Sequence, residues 1–113
     1  MKKILANDGI SNSGIKNLEK SGFKVITEKV LQENLEKFIN KEKIEVLLVR
    51  SATKVNKKLI DNCPNLKIVG RGGVGMDNID LKHAKKKGIQ VFNTPAASSS
   101  SVAELVFTHL FNI

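Results

Sequence analysis

Tryptophan and tyrosine are absent from this sequence and phenylalanine occurs five times. That supply is too poor for a stacking platform on single-stranded nucleic acid or for the aromatic faces of a flavin carrier. The single cysteine, Cys63, excludes an internal disulfide, and one cysteine with two histidines is too few for a zinc cluster. No apolar run approaches the roughly 20 residues that span a bilayer. Met1-Lys2-Lys3-Ile4-Leu5 meets Asn7-Asp8 too soon for a signal peptide. These absences predict a cytoplasmic chain with no membrane partner, no staple and no structural metal.

What is present suits a folded core. Hydrophobic residues make up 41% and charged residues 27%, ordinary for globular chains, and a length of 113 residues predicts one domain over 1–113. The net charge of +8 would suit a chain that meets nucleic acid or small anions. Most of it is scattered lysine, which solvates helix surfaces, so no nucleic-acid partner is expected. Nonspecific polyanion binding stays as an alternative that steep salt dependence would reveal.

Short apolar runs alternate with helical spacings, the signature of βαβ units and a parallel sheet. The expected strands are Lys3 to Ala6, Lys24 to Thr27, Val46 to Val49, Lys67 to Val69 and Gln90 to Phe92, each buried on both faces. The intervening helical faces are Ile15, Leu18 and Glu19, then Leu31, Leu35, Phe38 and Ile39, then Leu59 and Ile60, then Leu81 and Ala84. Asn56 and Asp80 sit where N-caps belong, and Gly22 and Gly88 where helices stop. Lys85, Lys86 and Lys87 before Gly88 complement a helix dipole. Ser101 with Glu104 fits a capping box opening a last helix. Val102, Leu105, Val106, Phe107, Leu110 and Phe111 make that helix apolar around much of its circumference, and it stops without a closing signal.

Ligands of open α/β sheets bind beyond the carboxyl ends of the strands. Four stretches lie there: Asn7-Asp8-Gly9, Arg50 to Thr53, Gly70 to Asn78, and Asn93-Thr94-Pro95 with the serines after it. Gly70, Gly72, Gly73 and Gly75 read either as a tight turn or as a nest of backbone N–H groups for an anion. Met76-Asp77 follows where a P-loop needs Lys-Ser/Thr, and the glycines match G-x-G-x-x-G only loosely. Arg50 offers a planar, bidentate donor for a carboxylate or phosphate, or else a surface ion pair. His83 and His109 fall on expected helices with no partner at a recognisable spacing. Cys63, before Pro64, reads as a small buried residue.

The ordered motifs Arg50-Ser51-Ala52-Thr53, Gly70-Arg71-Gly72-Gly73-Val74-Gly75-Met76-Asp77-Asn78-Ile79-Asp80, Gly88-Ile89, Asn93-Thr94-Pro95 and Val102-Ala103-Glu104-Leu105 carry a resemblance over nearly the whole chain. It resembles the N-terminal part of the NAD-dependent D-2-hydroxyacid dehydrogenases, and among them the branch that oxidises 3-phosphoglycerate to 3-phosphohydroxypyruvate in serine biosynthesis. The resemblance implies a flavodoxin-like three-layer sandwich, α/β, with a five-stranded parallel sheet in the order 2-1-3-4-5. It implies that this is part of a substrate-binding domain, without the separate NAD-binding domain, the dinucleotide fingerprint or the catalytic Arg, Glu and His. The chain alone is therefore expected to hold no cofactor and to be inactive. The substrate contacts that the resemblance implies are Arg50, Ser51, Arg71 and the backbone of Gly73, Val74 and Gly75. Val74 also touches nicotinamide, and Ser98 stands where many relatives carry Asn. The last helix is expected to fold back over the sheet in a monomer, with a dimer through that helix as the competing solution. The functional alternatives are a stand-alone flavodoxin-like binding or signalling module, or a fragment of another D-2-hydroxyacid dehydrogenase. A phosphoacceptor receiver, however, needs an aspartate where this chain has Arg50-Ser51.

Overall fold

The computed structural model describes residues 2–8, 12–50, 52–72 and 78–94. In chain order these form β1 (Lys2–Ala6), α1 (Asn12–Lys20), β2 (Phe23–Ile26), a 3-10 turn (Gln32–Asn34), α2 (Leu35–Glu42), β3 (Val46–Val49), α3 (Lys57–Asn62), β4 (Ile68–Gly72), α4 (Leu81–Lys86) and β5 (Gln90–Thr94). The sheet order is β2-β1-β3-β4-β5, with every neighbouring pair parallel. This is the α/β order 2-1-3-4-5 that the sequence implied.

The period-2 geometry of a strand sends alternate residues to opposite faces, and two cores result. Leu5, Leu47, Val49 and Val69 meet Leu35, Ile39, Leu59, Ile60 and Ala84 from α2, α3 and α4. Ile4, Ala6, Val46, Leu48 and Ile68 form the other cluster with Leu18 of α1 and Phe23. Leu47 is wholly buried, and burying a side chain of that size stabilises by about 2 kcal/mol.

Caps set the helix ends. Asn56 Oδ1 accepts from Leu59 N at 2.9 Å and Asp80 Oδ1 from His83 N at 3.1 Å. Gly22 and Gly88 adopt φ of 96° and 79°, left-handed values that cost other residues strain. The end of α2 carries no such sequence signal. Lys43 takes the left-handed position itself, φ 56°, with its N–H donating to Ile39 O.

Several expectations need correcting. The edge strands are not buried on both faces: Lys24 is exposed, and Val25, Ile26, Gln90 and Val91 are half-buried, because an edge strand has a neighbour on one side only. Glu19 is exposed. Leu31 (59% exposed) precedes the 3-10 turn instead of sharing the α2 face, and Leu81 is 45% exposed. β4 continues through Gly72, three residues beyond its expected end at Val69, so Gly70, Arg71 and Gly72 of the glycine-rich stretch are strand rather than turn. The final helix, with His109 and its capping box, lies outside the described residues. Among the described residues no helix is long and apolar enough to cross a membrane.

Candidate functional site

Three strands end at one rim, and polar residues follow each of them. β1 runs into Asn7 and Asp8, β3 into Arg50, and β4 carries Arg71 opposite Val49 in register. Arg50 follows directly on Val49, so it lies one residue beyond the Val49–Arg71 pair at the sheet's carboxyl edge. Arg50 is exposed and Arg71 half-buried. Asn93 and Thr94 extend β5 to the same edge, paired with Arg71 and Gly72.

The side chain of Asp8 is 4% exposed, and its two oxygens meet four donors. Oδ2 accepts from the backbone N–H of Arg50 at 2.6 Å and of Thr53 at 3.1 Å. Oδ1 accepts from Thr53 Oγ1 at 2.7 Å and Lys29 Nζ at 2.7 Å. Burial alone would push this carboxyl up. The hydrogen bonds from Lys29, from the Arg50 N–H and from Thr53 outweigh it and hold the group below its ordinary value. Asp8 is thus a filled acceptor and has no lone pair left to act as a base.

Asn7 secures the same loop from beneath. Its Nδ2 donates to Thr53 Oγ1 at 2.9 Å and Val30 O at 3.0 Å, while its Oδ1 accepts from Val30 N at 2.7 Å. From the opposite side, Asn78 Nδ2 donates to Arg50 O and Thr53 O, both at 2.6 Å, and its Oδ1 accepts from Arg71 Nε at 2.7 Å. The backbone joins in: Val55 N donates to Asn78 O at 2.8 Å and Asp80 N to Val55 O at 2.9 Å.

Of the residues expected at the site, Arg50 and Arg71 both lie at this edge, linked through Asn78, which donates to Arg50 O and accepts from Arg71 Nε. Ser51, Gly73, Val74, Gly75 and Ser98 lie outside the described residues. Asn7, Asp8, Thr53 and Asn78 stood within the rim stretches but had been given no role; Asn7 and Asp8 carry one signal, polar residues immediately after the buried β1 run, whereas Thr53 and Asn78 carry none. His83 is not partnerless as the spacing had suggested. Its Nε2 lies 2.6 Å from Asp61 Oδ1, with Lys87 Nζ at 3.6 Å from the same oxygen, and the His83 hydrogen bond lowers the Asp61 pKa. That contact joins α3 to α4 and does not involve the rim. Cys63 is buried, and burial followed by the Glu36 charge pushes its thiol up to about 11, so it is no nucleophile at neutral pH. Among the described residues no His, Cys, Asp and Glu cluster could hold a metal.

Asp8, directly after β1, is a carboxylate already occupied by the neighbouring N–H groups, so its side chain offers no donor to a pyrophosphate. What the rim brings to a small anion is cationic charge, from Arg50, which is exposed, and from Arg71, which is half-buried with its Nε on Asn78 Oδ1.

The family described as D-isomer specific 2-hydroxyacid dehydrogenase, catalytic domain, matches residues 4–109. D-3-phosphoglycerate dehydrogenase of Methanocaldococcus jannaschii is 48% identical over 106 residues, 93% of this chain and 20% of that protein. Hydroxypyruvate reductase of Thermotoga maritima is 44% identical over 104 residues, 91% of this chain and 33% of that one. Among solved structures, the NAD+-bound 3-phosphoglycerate dehydrogenase of Entamoeba histolytica superposes with a TM-score of 0.69 at 27% identity, covering 97% of this chain and 38% of its own. The chain thus spans between a fifth and two fifths of the proteins it matches.

Proposed function

Because this chain belongs to the D-isomer specific 2-hydroxyacid dehydrogenase family, we propose that it supplies the substrate-anion contacts of an NAD-dependent oxidation of 3-phosphoglycerate to 3-phosphohydroxypyruvate. The observation that carries the reading is the link through Asn78 between the Arg50 backbone, at the end of β3, and the Arg71 guanidinium on the neighbouring β4. Two guanidinium groups suit a ligand with two anionic ends, a carboxylate and a phosphate.

In this reading Ser51 and the backbone of Gly73, Val74 and Gly75 complete the anion contacts, Val74 also meets nicotinamide, and Ser98 adds a short polar contact. The residues of this chain bind and orient substrate. Hydride transfer needs a positioned dinucleotide, and in this reading the 113 residues by themselves are one flavodoxin-like domain, cytoplasmic and monomeric, that binds substrate without turning it over. A dimer through residues 102–111 is the alternative that light scattering separates. Hydroxypyruvate is the second substrate reading, favoured by the Thermotoga relative; it lacks the phosphate that the second arginine would hold.

NMR titration of the labelled chain with 3-phosphoglycerate, hydroxypyruvate and inorganic phosphate tests the proposal. Shifts at Arg50 and Arg71 that saturate with 3-phosphoglycerate at lower concentration than with the other two support it. Equal responses to all three, or none at millimolar ligand, overturn it.

A further inference from the structure

The backbone of Arg50 is held on both its polar groups by side chains that are distant in sequence. Asp8 Oδ2 takes its N–H at 2.6 Å, and Asn78 Nδ2 takes its C=O at 2.6 Å. Such a double grip on an exposed residue at the end of a strand does nothing for the hydrophobic core. It fixes the base from which the Arg50 side chain projects.

Asn78 does the same for Arg71 by another route, because its Oδ1 accepts from Nε, the nitrogen at the root of the guanidinium. Both Nδ2 protons go to carbonyl oxygens, of Arg50 and Thr53. The amide orientation is therefore forced: reversed, it would set its oxygen against two carbonyls and its NH2 against Nε–H. One side chain thereby ties the β3 loop and the Arg71 guanidinium into a single geometry.

We propose that Asn78, with Asp8 on the far side of the loop, is a positioning residue that fixes the mutual placement of Arg50 and Arg71 for a doubly anionic carboxylate-phosphate ligand. This deepens the function proposed above and rests on it for the identity of the ligand. Preorganised donors bind more tightly because their ordering is complete before the ligand arrives. The role should therefore appear in affinity and in side-chain dynamics, beyond any effect on stability.

The test uses the full chain with Asn78→Ala. Asn56→Ala is the comparison: it removes a helix cap outside the clamp at a similar expected loss of stability. Two readouts are taken, hydrogen exchange of the Arg71 Nε–H without ligand, and affinity for 3-phosphoglycerate. Asn78→Ala should speed the exchange and weaken binding by about tenfold, the scale of a lost charge-assisted hydrogen bond, with Asn56→Ala changing neither. Unchanged exchange and affinity in Asn78→Ala overturn the proposal, as does an equal loss of affinity in Asn56→Ala. If the unaltered chain binds no 3-phosphoglycerate, the substrate reading fails, while the exchange of Nε–H still decides whether Asn78 positions Arg71.

Discussion

The two ends of the sheet are both polar, but they use their charges differently. At the amino ends of the strands Glu45 takes Lys2 at 3.1 Å and Lys67 at 3.9 Å, and Glu42 takes Lys3 at 3.2 Å. These are side chains paired with side chains, partly open to solvent, and such pairs contribute about 0–1 kcal/mol each. At the carboxyl ends Asp8 and Asn78 bind backbone N–H and C=O groups and so order a loop. The contrast shows where geometry matters to this molecule. One end neutralises charge; the other fixes the placement of two arginines.

The largest expected effect abolishes the contrast. Leu47 packs in the core beneath α2 and α3 and is fully buried. Leu47→Ala should cost about 3 kcal/mol in denaturant unfolding and raise amide exchange at both ends alike. Asp8→Ala should sharpen the contrast instead. Removing a buried acceptor of four donors should cost about 2 kcal/mol, with faster exchange at the Arg50 and Thr53 amides and unaltered exchange at Lys67, whose N–H bonds Glu45 O at the other end. Equal loosening at Lys67 would dissolve the distinction between the ends.

Acid should separate them a third way. Hydrogen bonds to the ionised Asp8 outweigh its burial, so its folded-state pKa lies below the ordinary 3.8. A group lowered on folding contributes stability above its unfolded value and loses it as pH falls through the folded one. The Arg50 and Thr53 amides should hence stay protected from neutral pH to near 4 and lose protection below that. Asp61 is lowered too and adds its own acid limb, so the quantity to measure is the difference between the unaltered chain and Asp8→Asn. Parallel stability curves for the two below pH 4 would remove Asp8 from the account.

Much of this fold was legible in the sequence because it is local. Val46–Val49 is a four-residue apolar run, and its bounds came out as read. The caps Asn56 and Asp80 and the stops Gly22 and Gly88 act within one helical turn. Helical spacing told which residues share a face, but not whether anything covers that face, as Leu81 shows, nor where a helix begins: Leu31, though spaced like its neighbours, lies extended before the 3-10 turn. The glycines of β4 disguised a paired strand as a loop, since ladder bonds from β3 and β5 override a weak local preference. At the site, Arg71 was implied by the family resemblance, while Arg50 stood out because an arginine after an apolar run is conspicuous. Asp8 and Asn78 did not, because their partners lie 42 and 28 residues away and no periodicity encodes a contact of that range. The link between His83 and Asp61, 22 residues apart, was hidden in the same way.

The smallest effect is expected at the amino end. Glu45→Gln removes the charge facing two lysines, yet the glutamate side chain keeps about the same shape and the backbone bonds of Glu45 to Lys3 and Lys67 do not involve it. The expected loss is about 0.5 kcal/mol, shrinking with added salt as an exposed pair should. A chain with a net charge of +8 also repels itself, so removing one of its few carboxylates adds a weak, salt-screened cost of the same sign. Exchange at Arg50 and Thr53 should not respond, because no hydrogen bond of the upper clamp passes through Glu45. If Glu45→Gln loosened those amides, the two ends would be coupled through the sheet, and the Arg50–Arg71 geometry would depend on the whole strand register rather than on Asp8 and Asn78.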